Sequence, residues 1–164
     1  PWDNLDAYNR FLALNIPDLE YVSAGDSFKL FDLEFDILNT YDENVAHFSK
    51  DYVNDGSMMF KVTNQEESML FCADVGIGMS SYLVNRWQEH LKADYLQMAH
   101  HGYGGLEDYF YQTVAPKIAF FDAPEQMMFD QTGKYDNPEN MSLMEDLGCT
   151  IYYFKDGPNT IILK

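Results

Sequence analysis

His100 and His101 are adjacent imidazoles followed at once by Gly102, and they end a short apolar run, Tyr95-Leu96-Gln97-Met98-Ala99. They account for two of the four histidines in the chain. A second apolar run, Met69-Leu70-Phe71-Cys72-Ala73, ends in the same way on Asp74. Imidazole nitrogen and carboxylate oxygen are the ordinary protein donors to a divalent metal. Donors carried at the C-terminal tips of neighbouring strands meet at one edge of a sheet. The spacing leaves two readings: parts of a metal or catalytic site, or loop residues satisfied by hydrogen bonds.

The elements that must place these tips follow from periodicity. Leu5, Tyr8, Phe11 and Leu12, with Trp2, predict a helix from Asp3 to Leu14, capped by Asp3 or Asn4 and closed by Pro17. A turn at Gly25-Asp26 precedes a hairpin of Phe28-Lys29-Leu30 with Leu33 to Leu38, in which Leu33, Phe35 and Ile37 face one way. Asn39 to Gly56 is polar and acidic and predicts a long loop. Ser57 to Val62 and Met69 to Ala73 predict an antiparallel pair turning at Asn64 to Glu67. Tyr82, Leu83, Trp87 and Leu91 make the stripe of a helix from Ser80 to Leu91, capped by Ser80 or Ser81.

The strand 95–99, a glycine-rich loop, a helix from Leu106 to Val114 and a strand from Lys117 to Phe121 come next. A loop then leads to a helix from Pro138 to Leu147, with Pro138 in its first turn and Gly148 as its stop. Thr150 to Phe154 and Thr160 to Leu163 predict final strands around Asp156-Gly157-Pro158-Asn159. The order, an antiparallel meander and then strand–helix–strand–helix–strand, predicts an α/β (α+β) chain with a mixed sheet flanked by helices. The 164 residues form a single region with no repeat and no linker.

Composition narrows the function classes. With 46% hydrophobic and 16% aromatic residues the chain is globular. A formal net charge of -17 repels nucleic acid and anionic membranes at long range. It does not exclude an anionic substrate, because a bound divalent ion dominates its local field. Cys72 and Cys149 are the only cysteines, too few for a disulfide framework or a cysteine-rich zinc site. No stretch approaches the roughly 20 apolar residues needed to span a bilayer.

Other polar groups have ordinary explanations. His47 stands alone, and His90 falls at a helix C-terminus, where a cation is favoured. Glu107-Asp108 suits the first turn of a helix. Asp122 and Asp136 fit solvated loop acids, with an outer-sphere role near His100 as the alternative. Tyr109-Phe110-Tyr111 lacks the interleaved basic residues of a base-stacking platform.

Several blocks together resemble one family. Gly25-Asp26-Ser27-Phe28-Lys29-Leu30, Asn54-Asp55-Gly56-Ser57-Met58-Met59-Phe60, Phe71-Cys72-Ala73-Asp74, and Leu91-Lys92-Ala93-Asp94-Tyr95 leading to His100-His101-Gly102 resemble the metallo-β-lactamase superfamily. With the strand Pro116-Lys117-Ile118-Ala119, they look most like the hydrolase domain of bacterial DNA-uptake competence proteins, from about residue 20 to residue 164. The resemblance implies a sheet–sheet sandwich between helices, with one or two metals, usually zinc, at its edge. It implies that Asp74 is the bridging carboxylate and that His100 or His101, with His100 preferred, is the last histidine ligand. Asp74 and His100 are then the catalytic pair. By the same resemblance, Asn54 and Ser57 match a polar pair expected to be structural or to line the substrate pocket, and Tyr103 belongs to the loop expected to flank the substrate.

The departures from the family pattern carry their own expectations. The family's His-x-His-x-Asp-His motif is absent, and neither His47 nor His90 replaces it. Ala73 and Tyr103 stand where the family tends to have glycine and serine. Pro1 is not a natural start, so the chain is expected to be the C-terminal half of the fold, with the N-terminal half bearing the metal motif elsewhere. Zinc binding is expected to be weak or absent in this chain alone. The expected activity is hydrolysis of a phosphodiester or similar ester by activated water. The alternative is a degenerate, non-catalytic binding module. Either way, a lone half would expose an apolar sheet face, to be covered by the N-terminal half or by self-association.

Overall fold

The computed structural model describes residues 5–155 and 157–162. The expected caps Asp3 and Asn4 lie outside the described residues, as do Trp2, Asp156 and Leu163. Helix α1 (Leu5–Ala13) ends before Pro17, at a left-handed Asn15. It buries none of its residues.

Among the described residues, seven strands form one sheet in sequence order. They are β1 (Ser27–Leu30), β2 (Leu33–Asn39), β3 (Met59–Thr63), β4 (Ser68–Phe71), β5 (Tyr95–Gln97), β6 (Ile118–Pro124) and β7 (Thr150–Phe154). Pairing is antiparallel from β1 to β4 and parallel from β4 to β7. The expected mixed sheet with flanking helices is therefore what forms. Thr160, Ile161 and Ile162 adopt no strand, so the expected eighth strand does not form over the described residues.

Helices fill the connections. They are α2 (Glu43–Phe48), α3 (Ser80–Trp87), α4 (Asp108–Val114), α5 (Glu125–Met128) and α6 (Asn137–Asp146). Two of these correct the expectation of loops. In the acidic stretch after β2, Asp42 accepts from the amides of Asn44 and Val45 at 2.8 and 3.2 Å and starts α2, whose Val45 is buried. After β6, a single turn, α5, buries Met128.

Helix α3 is shorter than its apolar stripe suggests. At Gln88, φ turns to 45° and the chain continues as a 3₁₀ turn, Gln88–Leu91. Two cross-chain contacts hold that turn: Lys61 Nζ donates to the His90 carbonyl at 2.5 Å, and His90 Nε2 lies 3.3 Å from Asp36 Oδ2. Burial lowers the Lys61 pKa, and the nearby Asp36 opposes this. Ser80 does not cap α3 either. Its hydroxyl accepts from the Glu107 amide at 2.9 Å, joining α3 to the start of α4.

The two faces of the sheet differ. Leu38, Met59, Leu70, Leu96, Met98, Ala119 and Phe121 point into one core with Leu83, Phe110, Tyr111, Met128 and Met144 from the helices. Residues directly opposite in register share a face. The other face is therefore defined by the rows Ile37-Phe60-Phe71-Gln97-Phe120-Tyr152 and Phe28-Phe35-Val62-Met69-Tyr95-Ile118. Its rings stack pairwise: Phe28 on Phe35 at 5.1 Å, Phe60 on Phe71 at 4.7 Å, and Phe120 on Tyr152 at 5.4 Å. None of these residues belongs to the helix-covered core. Phe28 and Leu30 are exposed, the other rings are half-buried, and Ile37 and Val62 are buried. Among the described residues, an aromatic sheet face thus lies outside the helix-covered core and partly open.

Asp94, just before β5, ties three strand starts together. Its amide donates to the Ser68 carbonyl at 3.0 Å, and its carboxylate accepts from the Ser68 amide at 2.9 Å. Its carbonyl accepts from the Lys117 and Ile118 amides at 2.8 and 3.2 Å, and its Oδ1 lies 2.7 Å from Lys117 Nζ. Partial burial alone would raise the Asp94 pKa, but the bonds from Lys117 and Ser68 outweigh it and hold the pKa below the usual carboxylate range. A depressed folded pKa gives stability that is present above the unfolded value and lost as pH falls through the folded one. Asp94→Asn should therefore lower the melting temperature at neutral pH. Thermal melts from pH 7 downward should show the gap to wild type closing only below about pH 4.

Candidate functional site

The register of β4 and β5 builds the site. Phe71 lies opposite Gln97, so Asp74 and His100 each follow three residues beyond a paired position. Both strands run the same way and deliver these residues to one edge. Beyond the last paired residues, side chains take over from the sheet. The Gln97 amide oxygen accepts from the Cys72 and Ala73 amides at 3.0 and 2.9 Å. The His100 amide then donates to the Ala73 carbonyl at 2.7 Å.

The backbone at both tips is unusual. Ala73, His100 and His101 have φ of 48°, 48° and 62°. Left-handed backbone costs a residue bearing Cβ about 1–2 kcal/mol. Gly102, at φ 80°, completes the turn, and a Cβ there would meet the Phe121 ring at 2.2 Å. Only glycine fits.

This turn brings His101 Nε2 to 3.5 Å from Asp74 Oδ1, with both side chains about half exposed at 51% and 42%. His100 takes a different direction. Its ring lies 5.8 Å from Tyr103 and 6.2 Å from His101, and Tyr103 packs edge-on to Tyr135 at 5.3 Å. His100 and Asp74 line one cleft of about 410 Å³, together with Lys50, Asn54, Asp55 and Ile77.

Each expected site residue can now be placed. Asp74, His100 and Asn54 share the cleft. His101 contacts Asp74 and does not line it. Tyr103 reaches the cleft only through the His100 ring. The Asn54 amide donates to Asp51 Oδ2 at 2.9 Å, which orients it within its own loop. Ser57 lies in the turn before β3, where its carbonyl accepts from Asn39 Nδ2 at 2.9 Å. It does not line the cleft.

Asp55 is a cleft residue that the sequence did not single out. It is 4% exposed, and its Oδ1 accepts from the Gly76 amide at 2.5 Å. A Cβ on Gly76 would stand 2.9 Å from Oδ1, and one on Gly78 3.3 Å from Oδ2. The pattern Gly76-x-Gly78 was the available signal: two glycines before a helix leave room for a buried carboxylate.

Asp74, His100 and His101 are of the residue types that ligate metals. Among the described residues no group of three or more His, Cys, Asp and Glu side chains is placed to hold an ion. Asp74 and His101 provide two donors facing each other, with His100 beside them. Cys72 is fully buried, and burial pushes its thiol well above the ordinary range, so it is no thiolate donor.

No family model matches the chain, and no curated protein does. Solved structures do match in shape. A mutant of the CmlA beta-hydroxylase superposes with a TM-score of 0.56 at 12% identity, over 93% of this chain and 35% of its own. A Parabacteroides distasonis protein named as a metal-dependent hydrolase superposes with a TM-score of 0.51 at 11% identity, over 90% of this chain and 61% of its own. The fold is metallo-β-lactamase-like. At these identities the likeness is one of fold alone, and the chain spans less than two thirds of either structure.

The hold on the Asp74 tip is open to measurement. Gln97→Ala would leave the Cys72 and Ala73 amides without their acceptor, a loss of about 1–3 kcal/mol for a buried group left unpaired. Urea denaturation should show a drop of that size. Amide exchange at Ala73 and Asp74 should accelerate while the start of β4, held by Asp94, stays protected.

Proposed function

We propose that the chain is part of a metal-dependent hydrolase and carries the Asp74–His100–His101 portion of its site. The supporting observation is the 3.5 Å approach of His101 to Asp74 at the tips of adjacent parallel strands, on a metallo-β-lactamase-like fold. In this reading Asp74 and one of the two histidines hold metal, and His100 and Asp74 are the catalytic pair facing the cleft. The chemistry a bound zinc ion brings is to lower the pKa of water to roughly 7, so that hydroxide is available at neutral pH. Asn54 lines the substrate side, Tyr103 backs it through the His100 ring, and Ser57 braces the loop behind it. The preferred substrate is a phosphodiester or similar ester, on the strength of the resemblance to competence-protein hydrolase domains.

Two donors do not make a catalytic zinc site, which takes three protein ligands and an open position. The remaining donors are assigned to an N-terminal half of the same fold, whose sheet would lie on the open aromatic face. A second reading is favoured by the absence of a three-donor group among the described residues: a binding module of the same fold without catalysis.

Measurement separates the two. The 164-residue chain alone should retain much less than one zinc per chain after dialysis. It should also sediment as a species larger than a monomer. Supplied with an N-terminal half bearing His-x-His-x-Asp-His, it should gain one or two zinc ions and hydrolyse a chromogenic phosphodiester. Asp74→Ala should then reduce kcat by at least about 100-fold, the upper range for losing groups one shell further out. A full zinc on the chain alone would overturn the division of the site. A complete, metal-free and inactive assembly would favour the binding module.

A further inference from the structure

His100, His101 and Gly102 are three consecutive left-handed residues, with φ of 48°, 62° and 80°. Glycine adopts that backbone freely, and the two histidines do not. Something must hold them there, and two side chains do so from one direction. Asn137 and Asn140 are three residues apart in the first turn of α6, so they leave the helix on the same side. Asn137 Nδ2 donates to the His101 carbonyl at 2.9 Å, and Asn140 Nδ2 donates to the Gly102 carbonyl at 3.0 Å. The Phe121 ring occupies the space beside Gly102. The turn is thus gripped between the amides of α6 and an aromatic of β6.

Asn137 is fully buried, yet its Oδ1 has no hydrogen-bond partner among the described residues. Leucine would fill the same volume without an unpaired Oδ1 but would strip the His101 carbonyl of its donor, so packing alone does not account for an asparagine there. The bond to His101 does.

We propose that Asn137 and Asn140 are positioning residues: their amides lock the His100-His101-Gly102 turn in its left-handed form and so aim His101 at Asp74. The proposal rests on reading that edge as the functional site, and it adds the side chains that set the site's geometry.

A double-mutant cycle tests it without a metal or a substrate. Asn137→Ala is expected to lower the melting temperature by about 3 °C or more. His101→Gly removes the Cβ that makes the left-handed turn unfavourable, so in that background the loss should shrink to less than half. Equal losses in the two backgrounds would overturn the proposal, because an amide that only fills space is indifferent to residue 101. The half-buried Asn140→Ala provides the same cycle where Asn137→Ala fails to fold. NMR supplies the second readout, the backbone coupling constant of His101 and the contact between its ring and the Asp74 methylene. Both should be lost in Asn137→Ala/Asn140→Ala, and their persistence in that variant would also overturn the proposal. Zinc uptake by the assembled protein is scored separately, so failure of the hydrolase reading leaves this result intact.

Discussion

The parallel pairing of β4 with β5 is the constraint on which the site depends. A slip of one residue would turn Asp74 or His100 to the opposite side, because side chains alternate along a strand. The pairing spans only three residue pairs, from Met69↔Tyr95 to Phe71↔Gln97. So short a ladder does not hold its register by backbone bonds alone. Asp94 fixes it from the start, through both its backbone and its carboxylate on Ser68. Gln97 fixes it from the end, through one amide oxygen that serves Cys72 and Ala73. Between these two side chains, Leu70 and Leu96 are fully buried and provide the cohesion.

The tips beyond that ladder combine strained backbone with dense polar support. Ala73, His100 and His101 are all left-handed, and each is fastened by a named hydrogen bond to its amide or carbonyl. Unfavourable backbone persists only where its surroundings over-determine it, and such places cluster at sites. The support comes from four elements: β4, β5, β6 through Phe121, and the first turn of α6. Asp55 plays the matching part across the cleft, where its buried carboxylate holds the Gly76 amide at the entry to α3.

Much of the scaffold was legible because apolar runs and glycine or proline punctuation announce strands and helix ends. β2, β6, β7, α4 and α6 all form within a few residues of where their patterns put them. What was hidden depends on partners distant in sequence. α2 has only Val45 as a buried residue, so its pattern is weak and the Asp42 cap was its one local signal. α3 stops at Trp87 although Leu91 continues its stripe, because Lys61 and Asp36 from other strands capture His90. The candidate site shows the same division. Asp74 and the His-His-Gly tip stand out as polar ends of apolar runs, whereas Asp55 is one carboxylate in an acidic stretch, and Asn137 is marked only by the proline after it. That His101 rather than His100 faces Asp74 follows from two positive φ angles, which residue types other than glycine do not advertise.

The open sheet face and the short donor set have a common physical remedy. Seven strands at about 4.8 Å spacing make a face about 30 Å across. A partly exposed aromatic surface of that breadth is of the kind that marks an interaction site. The chain carries a net charge of -17, yet the two aromatic rows contain no charged residue. Asp122, two residues beyond Phe120 along β6, is the nearest acid on that side of the strand. A second sheet would pack on the face at about 10 Å. Its loops would then run beside the tips of β4 and β5, where Asp74 and His101 face each other and, among the described residues, no third such side chain joins them. On the proposed reading, covering the face and completing the site would be a single event.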